Sequence, residues 1–168
     1  MASSNIKMLG KTAVCASSDE CYTPREAIEP LMKYLDKGYK YYDCTSKFSS
    51  KLIHTMNENG FNCEGCEDLD FLTDEIVKDI DIIITNPPYS KKDKFIKRCY
   101  ELGKPFALLL PVSALQGQAR GKMFKENGIE ILALNKRIDF TGKGSPHFGV
   151  AWFCYNILPE KLLFDEVE

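Results

Sequence analysis

One run of residues constrains the fold of this chain more than any other: Asp79 to Ser90, reading D-I-D-I-I-I-T-N-P-P-Y-S. Ile80, Ile82, Ile83 and Ile84 form a β-branched run around Asp81, which predicts a central strand covered on both faces. Asn86-Pro87-Pro88-Tyr89 ends the strand. Two prolines cannot continue a hydrogen-bonded ladder, and they leave the backbone stiff and extended. In open α/β folds the carboxyl edge of a parallel sheet is where ligands bind, so a rigid polar strand end at that edge is a candidate site.

The chemistry of these four residues follows from their groups. The Asn86 side-chain oxygen and the Pro87 carbonyl are both acceptors. Held side by side by the Pro87-Pro88 geometry, they can take both hydrogens of a planar amino group. That localises a nitrogen lone pair otherwise delocalised into a ring or a carbonyl, and the amine can then attack an electrophilic methyl group. Tyr89 offers a flat face on which an extruded base can stack. Asn86, Pro87, Pro88 and Tyr89 are therefore the candidate catalytic residues.

Asn86-Pro87-Pro88-Tyr89 after a hydrophobic strand resembles the catalytic motif of S-adenosylmethionine-dependent N6-adenine methyltransferases, a motif shared by glutamine methyltransferases of release factors. Asp19-Glu20-Cys21-Tyr22-Thr23-Pro24 is similar to the opening of small phage-type (Dam-like) DNA N6-adenine methyltransferases. Arg137-Ile138-Asp139-Phe140, a glycine-rich turn, Ser145-Pro146-His147 and the segment through Ala151-Trp152-Phe153 resemble that family's closing hairpin. The likeness runs over about residues 19 to 156. It implies S-adenosyl-L-methionine as cofactor, with Tyr22, Thr23 and Pro24 on the cofactor side. It places Asp43, Cys44 and Thr45 in the cofactor loop, Asp70 as acceptor from the cofactor's adenine amino group and Phe71 against its ring. Asn86 faces both cofactor and substrate.

The rest of the chain supplies the frame. Lys40-Tyr41-Tyr42-Asp43-Cys44 reads as the first strand, followed by Thr45-Ser46-Lys47 and a helix from about Phe48 to Asn57. The usual glycine-rich cofactor loop is replaced by D-C-T-S-K-F-S-S, with small residues where glycines let a backbone approach a ligand. Gly60 to Glu64 reads as the second strand. A carboxylate there can accept from two ribose hydroxyls, and Glu64, Glu67 and Asp68 compete for that role. A helix is predicted from Pro24 towards Gly38, with Pro24 in its first turn and Thr23 as cap. Another is predicted over Thr73 to Lys78, capped by Thr73, and a third over Lys91 to Leu102, closed by Gly103. Further strands fall at Pro105 to Pro111, Ile129 to Leu134 and Phe148 to Ile157, with a helix ending at Gly128 between the first two. Alternating strands and helices closing in a hairpin predict a three-layer α/β sandwich. This is a Rossmann-like methyltransferase sandwich with a mostly parallel sheet and an antiparallel C-terminal hairpin. One domain over 1–168, with a mobile arm at 1–18, is the expected organisation.

Composition bounds the rest. A chain of 168 residues with 44% hydrophobic and 27% charged residues suits one soluble domain. It has no apolar run of membrane-spanning length and no secretory leader, which predicts a cytoplasmic protein, in the host cytoplasm for a phage-encoded chain. The seven cysteines then read as reduced thiols. Cys63-Glu64-Gly65-Cys66 lacks the second ligand pair of a zinc site, so no metal is expected. The net charge of −2 carries no overall basic footprint for nucleic acid, yet Lys91, Lys92, Lys94, Lys97 and Arg98 cluster after the N-P-P-Y run. They form either a solvated helix face or a hold on phosphates.

The combined reading is an adenine-N6 methyltransferase acting on nucleic acid, DNA rather than RNA, without a membrane partner. A homodimer or a protein partner, or the loops 112–121 and 139–147, would supply target recognition. Three other readings use the same residues: an RNA-adenine methyltransferase, a protein-glutamine N-methyltransferase, and a non-catalytic binding protein or inhibitor on a degenerate methyltransferase fold.

Overall fold

The isoleucine run forms a strand buried at every residue, Ile82–Thr85. Ile82 and Ile84 enter one apolar cluster and Ile83 enters another, because successive strand side chains point to opposite faces. The computed structural model describes residues 23–45, 50–66, 69–76, 79–144, 146 and 148–167. The expected arm at 1–18 lies outside the described residues, as do Tyr22, Ser46, Lys47, Glu67, Asp68, Ser145 and His147.

In chain order the elements are α1 (Arg25–Met32), β1 (Lys40–Asp43), α2 (Lys51–Glu58), β2 (Asn62–Gly65), β3 (Ile82–Thr85), α3 (Lys92–Leu102), β4 (Phe106–Pro111), α4 (Gln118–Asn127), β5 (Glu130–Leu134), β6 (Val150–Tyr155) and β7 (Leu162–Asp165). Short 3-10 turns at Tyr89–Lys91 and Val112–Leu115 follow β3 and β4. The strands form a seven-stranded sheet in the order β2-β1-β3-β4-β6-β5-β7. β1 pairs in parallel with β2 and β3, and β3 with β4. β6 runs antiparallel to β4 and β5, and β7 returns parallel to β5. The expected sandwich is therefore present, mostly parallel, with β5 and β6 as the antiparallel hairpin.

Alternation along the strands builds two cores. Tyr41, Leu109 and Trp152 pack with Ile28 and Leu31 of α1 and Leu52 and Met56 of α2. Tyr42, Leu108 and Phe153 pack with Phe95 and Ile96 of α3, against which Phe124 of α4 rests. The Trp152 indole Nε1 donates to the Ala27 carbonyl at 2.7 Å, pinning the start of α1 to the sheet. Among the described residues no helix is long and apolar enough to cross a membrane.

Four local expectations are corrected. Pro24 itself is the N-cap of α1, in an extended conformation, and no side chain caps that helix. A residue before proline is held extended, so Thr23 sits one position too early to cap. The helix stops at Met32 rather than near Gly38, where the bonding tightens to the i−3 pattern: Tyr34 N donates to the Leu31 carbonyl at 3.0 Å and Leu35 N to the Met32 carbonyl at 3.3 Å. The helix expected over Thr73 to Lys78 does not form in its described part, residues 73–76, where a single turn stands. Asp70 Oδ1 accepts from Leu72 N, the Asp70 carbonyl accepts from Thr73 N and Asp74 N, and Asp74 Oδ2 accepts from Asp70 N. Arg98 then takes the Phe71 and Asp74 carbonyls at 3.2 and 2.9 Å, so those acceptors are satisfied without further helix. Finally, β7 adds a seventh strand where no strand was expected.

Candidate functional site

The carboxyl ends of β1 and β3 lie side by side where the chain order reverses, since β1 has β2 on one flank and β3 on the other. This is the switch point at which open α/β sheets form ligand crevices. β1 delivers Asp43 there and β3 delivers Thr85 and Asn86.

Asp43 is 1% exposed, and its carboxylate is held by hydroxyls from three segments. Thr85 Oγ1 donates to Oδ1 at 2.6 Å, Thr45 Oγ1 and the Thr45 backbone N–H approach the same oxygen at 3.2 Å, and Ser50 Oγ donates to Oδ2 at 3.3 Å. Thr45 and Thr85 hydroxyls also meet at 2.5 Å. Ser50 is in addition the N-cap of α2, accepting from Ile53 N at 3.1 Å. Thr45 and Ser50, on either side of residues 46–49, are thus both tied to the Asp43 carboxylate through their hydroxyls. Cys44 is buried beneath it, and burial, aided by Cys99 and Asp43, pushes its thiol well above the ordinary range. It is a neutral apolar residue at neutral pH, not a nucleophile.

Asn86 carries the most telling atom. Its Oδ1 is buried and has no hydrogen-bond partner among the described residues. An unpaired buried acceptor costs about 1–3 kcal/mol and calls for an explanation. Pro87 is buried and Pro88 exposed. The Pro88 carbonyl is engaged by Lys91 N at 2.9 Å, whereas no backbone N–H among the described residues donates to the Pro87 carbonyl. Among the described residues, the Asn86 side-chain oxygen and the Pro87 carbonyl therefore follow one another at the strand end, the first without a donor and the second without a backbone donor. Tyr89 is half-buried and meets Phe148 edge-to-face, with ring centroids 5.8 Å apart.

The other candidate residues are placed as follows. Thr23 is buried just ahead of α1, and Pro24 starts that helix. Glu64 is exposed on β2, paired in register with Tyr42, and Gly65 rather than an acid ends the strand beside Asp43. Asp70 is exposed and organises the 70–74 turn. Phe71 is buried, its ring stacked on Phe95 at 5.3 Å with 16° between planes. Cys63 and Cys66 are buried free thiols, and no group of three or more candidate metal ligands occurs among the described residues. The basic cluster divides. Arg98 turns onto the 71–74 carbonyls, Lys97 pairs with Glu101 at 3.5 Å and Lys92 reaches the Tyr89 carbonyl at 3.2 Å. Lys91 and Lys94 remain exposed on the surface.

Thr85, Ser50 and Phe148 belong to the site without having been singled out in the sequence. Thr85 had a signal, a hydroxyl ending an isoleucine run directly before Asn86. Ser50 had one too, a cap residue three positions ahead of Ile53. Phe148 had none, because its contact with Tyr89 spans the sheet edge.

No protein-family model and no curated protein matches the chain. Its fold does match. The methyltransferase subunit of a type I restriction-modification system from Streptococcus thermophilus is similar with a TM-score of 0.50 and 17% identity, covering 95% of this chain and 50% of that one. A modification subunit of a putative type I restriction enzyme from Vibrio vulnificus YJ016 gives 0.49 and 14%, covering 96% and 50%. A TehB-like SAM-dependent methyltransferase from Corynebacterium glutamicum gives 0.48 and 14%, covering 89% and 95%. The chain spans about half the length of the two restriction-system subunits. It has a methyltransferase fold.

Proposed function

We propose that this protein is an S-adenosylmethionine-dependent methyltransferase that modifies the N6 amino group of adenine in DNA. The observation that carries the reading is the buried Asn86 Oδ1, which has no partner among the described residues, at the switch point next to Asp43 and followed by the Pro87 carbonyl. An exocyclic amino group brings two hydrogens, and these two acceptors match them. A buried acceptor without a partner among the described residues is accounted for by a ligand that brings the donor.

The residues also fit the cofactor. S-adenosylmethionine, when bound, supplies the electrophilic methyl group. Asp43, fixed by Thr85, Thr45 and Ser50, presents a preorganised acidic edge to it, with Cys44 and Thr45 as the small residues of the loop. Thr23, Pro24, Glu64, Asp70 and Phe71 are proposed as the more distant cofactor contacts, together with Tyr22. Asn86 and the Pro87 carbonyl hold the amino hydrogens and turn the nitrogen lone pair towards the methyl. Tyr89 stacks on the extruded base, its ring braced edge-on by Phe148. The rate gain comes from positioning. No strongly basic side chain is required, since the amino proton can leave to water from the Asn86 oxygen.

DNA is proposed as the substrate because residues 89–128 carry nine lysines and arginines against three acids, in a chain of net charge −2. That concentrates a phosphate-attracting field on the segment that follows Asn86. The structurally similar type I protein from Streptococcus thermophilus is a methyltransferase subunit, and a partner protein or second copy is proposed to add target recognition.

The test is calorimetric titration with S-adenosylmethionine and S-adenosylhomocysteine, followed by labelled-methyl transfer to DNA, RNA and protein. Micromolar cofactor binding and transfer to DNA adenine are expected. Absence of binding by the folded protein would overturn the enzymatic reading and favour the non-catalytic binder.

A further inference from the structure

Arg120 looks like part of the basic segment but is not available to phosphates. Its side chain is 12% exposed, and its guanidinium is shared among three acceptors. Nε donates to the Ala114 carbonyl at 2.8 Å, Nη2 donates to the Gln116 carbonyl, and Nη1 pairs with Asp93 Oδ1 at 2.6 Å. Ala114 and Gln116 belong to the loop after β4. Asp93 stands in the first turn of α3, directly behind the N-P-P-Y run. Gly117 makes room for this clamp, because a Cβ there would land 2.5 Å from Arg120 Nη2.

The clamped loop exposes apolar side chains. Val112 is 46% exposed and Leu115 45%, while Ala114 between them is buried as the anchor. Val112 N donates to the Gly149 carbonyl at 3.0 Å. The residue before Gly149 is Phe148, which braces Tyr89. The loop is thus joined to the residue next to Phe148 through Gly149, and to the first turn of α3 through Arg120 and Asp93. Lys91, Lys94, Lys122 and Lys125 stand exposed on the flanking helices and turn.

We infer that Val112 and Leu115 form a wedge that enters the base stack of DNA beside the target base, with Arg120 as the positioning residue that keeps the wedge rigid. The inference rests on the nucleic-acid reading above. Apolar side chains that insert between base steps offset part of the unstacking cost, and need a stiff mount and a cationic rim to do so. Val112 and Leu115 supply the apolar tip, the Arg120 clamp supplies the mount, and the four lysines supply the rim.

The test uses the full chain, a labelled mixed-sequence duplex, and the same duplex with one abasic gap in its stack. The gapped duplex has already lost its stacking, so the wild-type chain is expected to bind it about tenfold tighter than the intact one. Val112→Ser combined with Leu115→Ser is expected to abolish that preference while keeping the salt dependence set by phosphate contacts. Both side chains are exposed, so folding is not at stake. Arg120→Gln is expected to lose the preference too, and Arg120→Lys does not restore it, since an ammonium lacks the planar fork of donors. If thermal unfolding shows Arg120→Gln to be unfolded, Asp93→Asn replaces it. A wild type without preference, or a serine double variant that retains it, overturns the inference. Because the readout is DNA binding without transfer, failure of cofactor titration sinks the enzymatic reading alone and is distinguishable from failure of the wedge.

Discussion

Thr85 Oγ1 donates a 2.6 Å hydrogen bond to Asp43 Oδ1, across 42 residues of sequence and between the two neighbouring strands that flank the switch point. Thr85 is also the residue immediately before Asn86. One hydroxyl therefore ties the proposed cofactor carboxylate to the proposed amine-binding strand end. Thr85→Val keeps the shape and removes the donor. It is expected to cost about 1–2 kcal/mol of stability, since the bond is buried and charge-assisted. It should also weaken S-adenosylmethionine binding about tenfold, equivalent to ~1.4 kcal/mol. Thermal unfolding and calorimetry check both effects.

Asn86 leads to an opposite stability effect. Its buried Oδ1 has no partner among the described residues, so removing it relieves a desolvation cost. Asn86→Ala should leave the melting temperature unchanged or raise it, by up to about 1 kcal/mol of stability. Cofactor binding should persist and methyl transfer should vanish. A large loss of stability would show that Asn86 supports the fold instead.

The docking of β7 onto α1 should depend on pH. Asp165 is partly shielded from water, which works to raise its carboxyl pKa. The hydrogen bonds from Lys33 Nζ at 2.6 Å, Glu166 N and Tyr34 outweigh this and hold it below its ordinary value of 3.8. A carboxylate with a lowered folded value contributes stability above its unfolded value and loses it as pH falls through the folded one. Asp165→Asn is therefore expected to melt lower than wild type near neutrality and to converge with it in the acid range below 3.8. Paired melting curves over pH 2–7 measure the convergence.

Glu130 is a buried carboxylate that accepts three backbone N–H groups: Asn156 on Oε1, and Ile157 and Leu158 on Oε2, at 3.1, 3.0 and 2.8 Å. It holds the corner between β6 and β7, where Asn156 adopts a positive φ of 54°. Glu130→Ala should cost about 3 kcal/mol, because three donors lose their acceptor. Glu130→Gln, whose amide oxygen can keep two of them, should cost about 1 kcal/mol. Denaturant unfolding of the two variants checks the ranking.

How far the fold was legible varies from residue to residue. Ile82 to Ile84 announced a doubly buried strand, and Gly103 announced the end of α3, where it adopts a left-handed φ of 64°. Thr73 to Lys78 misled, since a cap residue followed by two acids reads as a helix start. Arg98, more than twenty residues away, satisfies the carbonyls that would have continued it. β7 was invisible because Leu162 and Phe164 stay exposed and its short L-L-F-D run shows no clear alternation of polar and apolar. It becomes a strand only where β5 offers an open edge, with Ile131 to Leu134 in register against it.

The sequence by itself determined the layered α/β architecture, the strand that ends in Asn86-Pro87-Pro88-Tyr89, and the acceptor chemistry of those residues. Each depends on local properties: the period of apolar side chains, the missing N–H of proline, and the lone pairs of an amide. Only the tertiary structure decided that Asn86 Oδ1 has no partner among the described residues, that Thr85 and Ser50 hold the Asp43 carboxylate, and that Arg98 and Arg120 brace loops through backbone carbonyls. Those facts depend on which strands become neighbours, and hydrogen-bond partners tens of residues apart are set by sheet order, which no local pattern encodes.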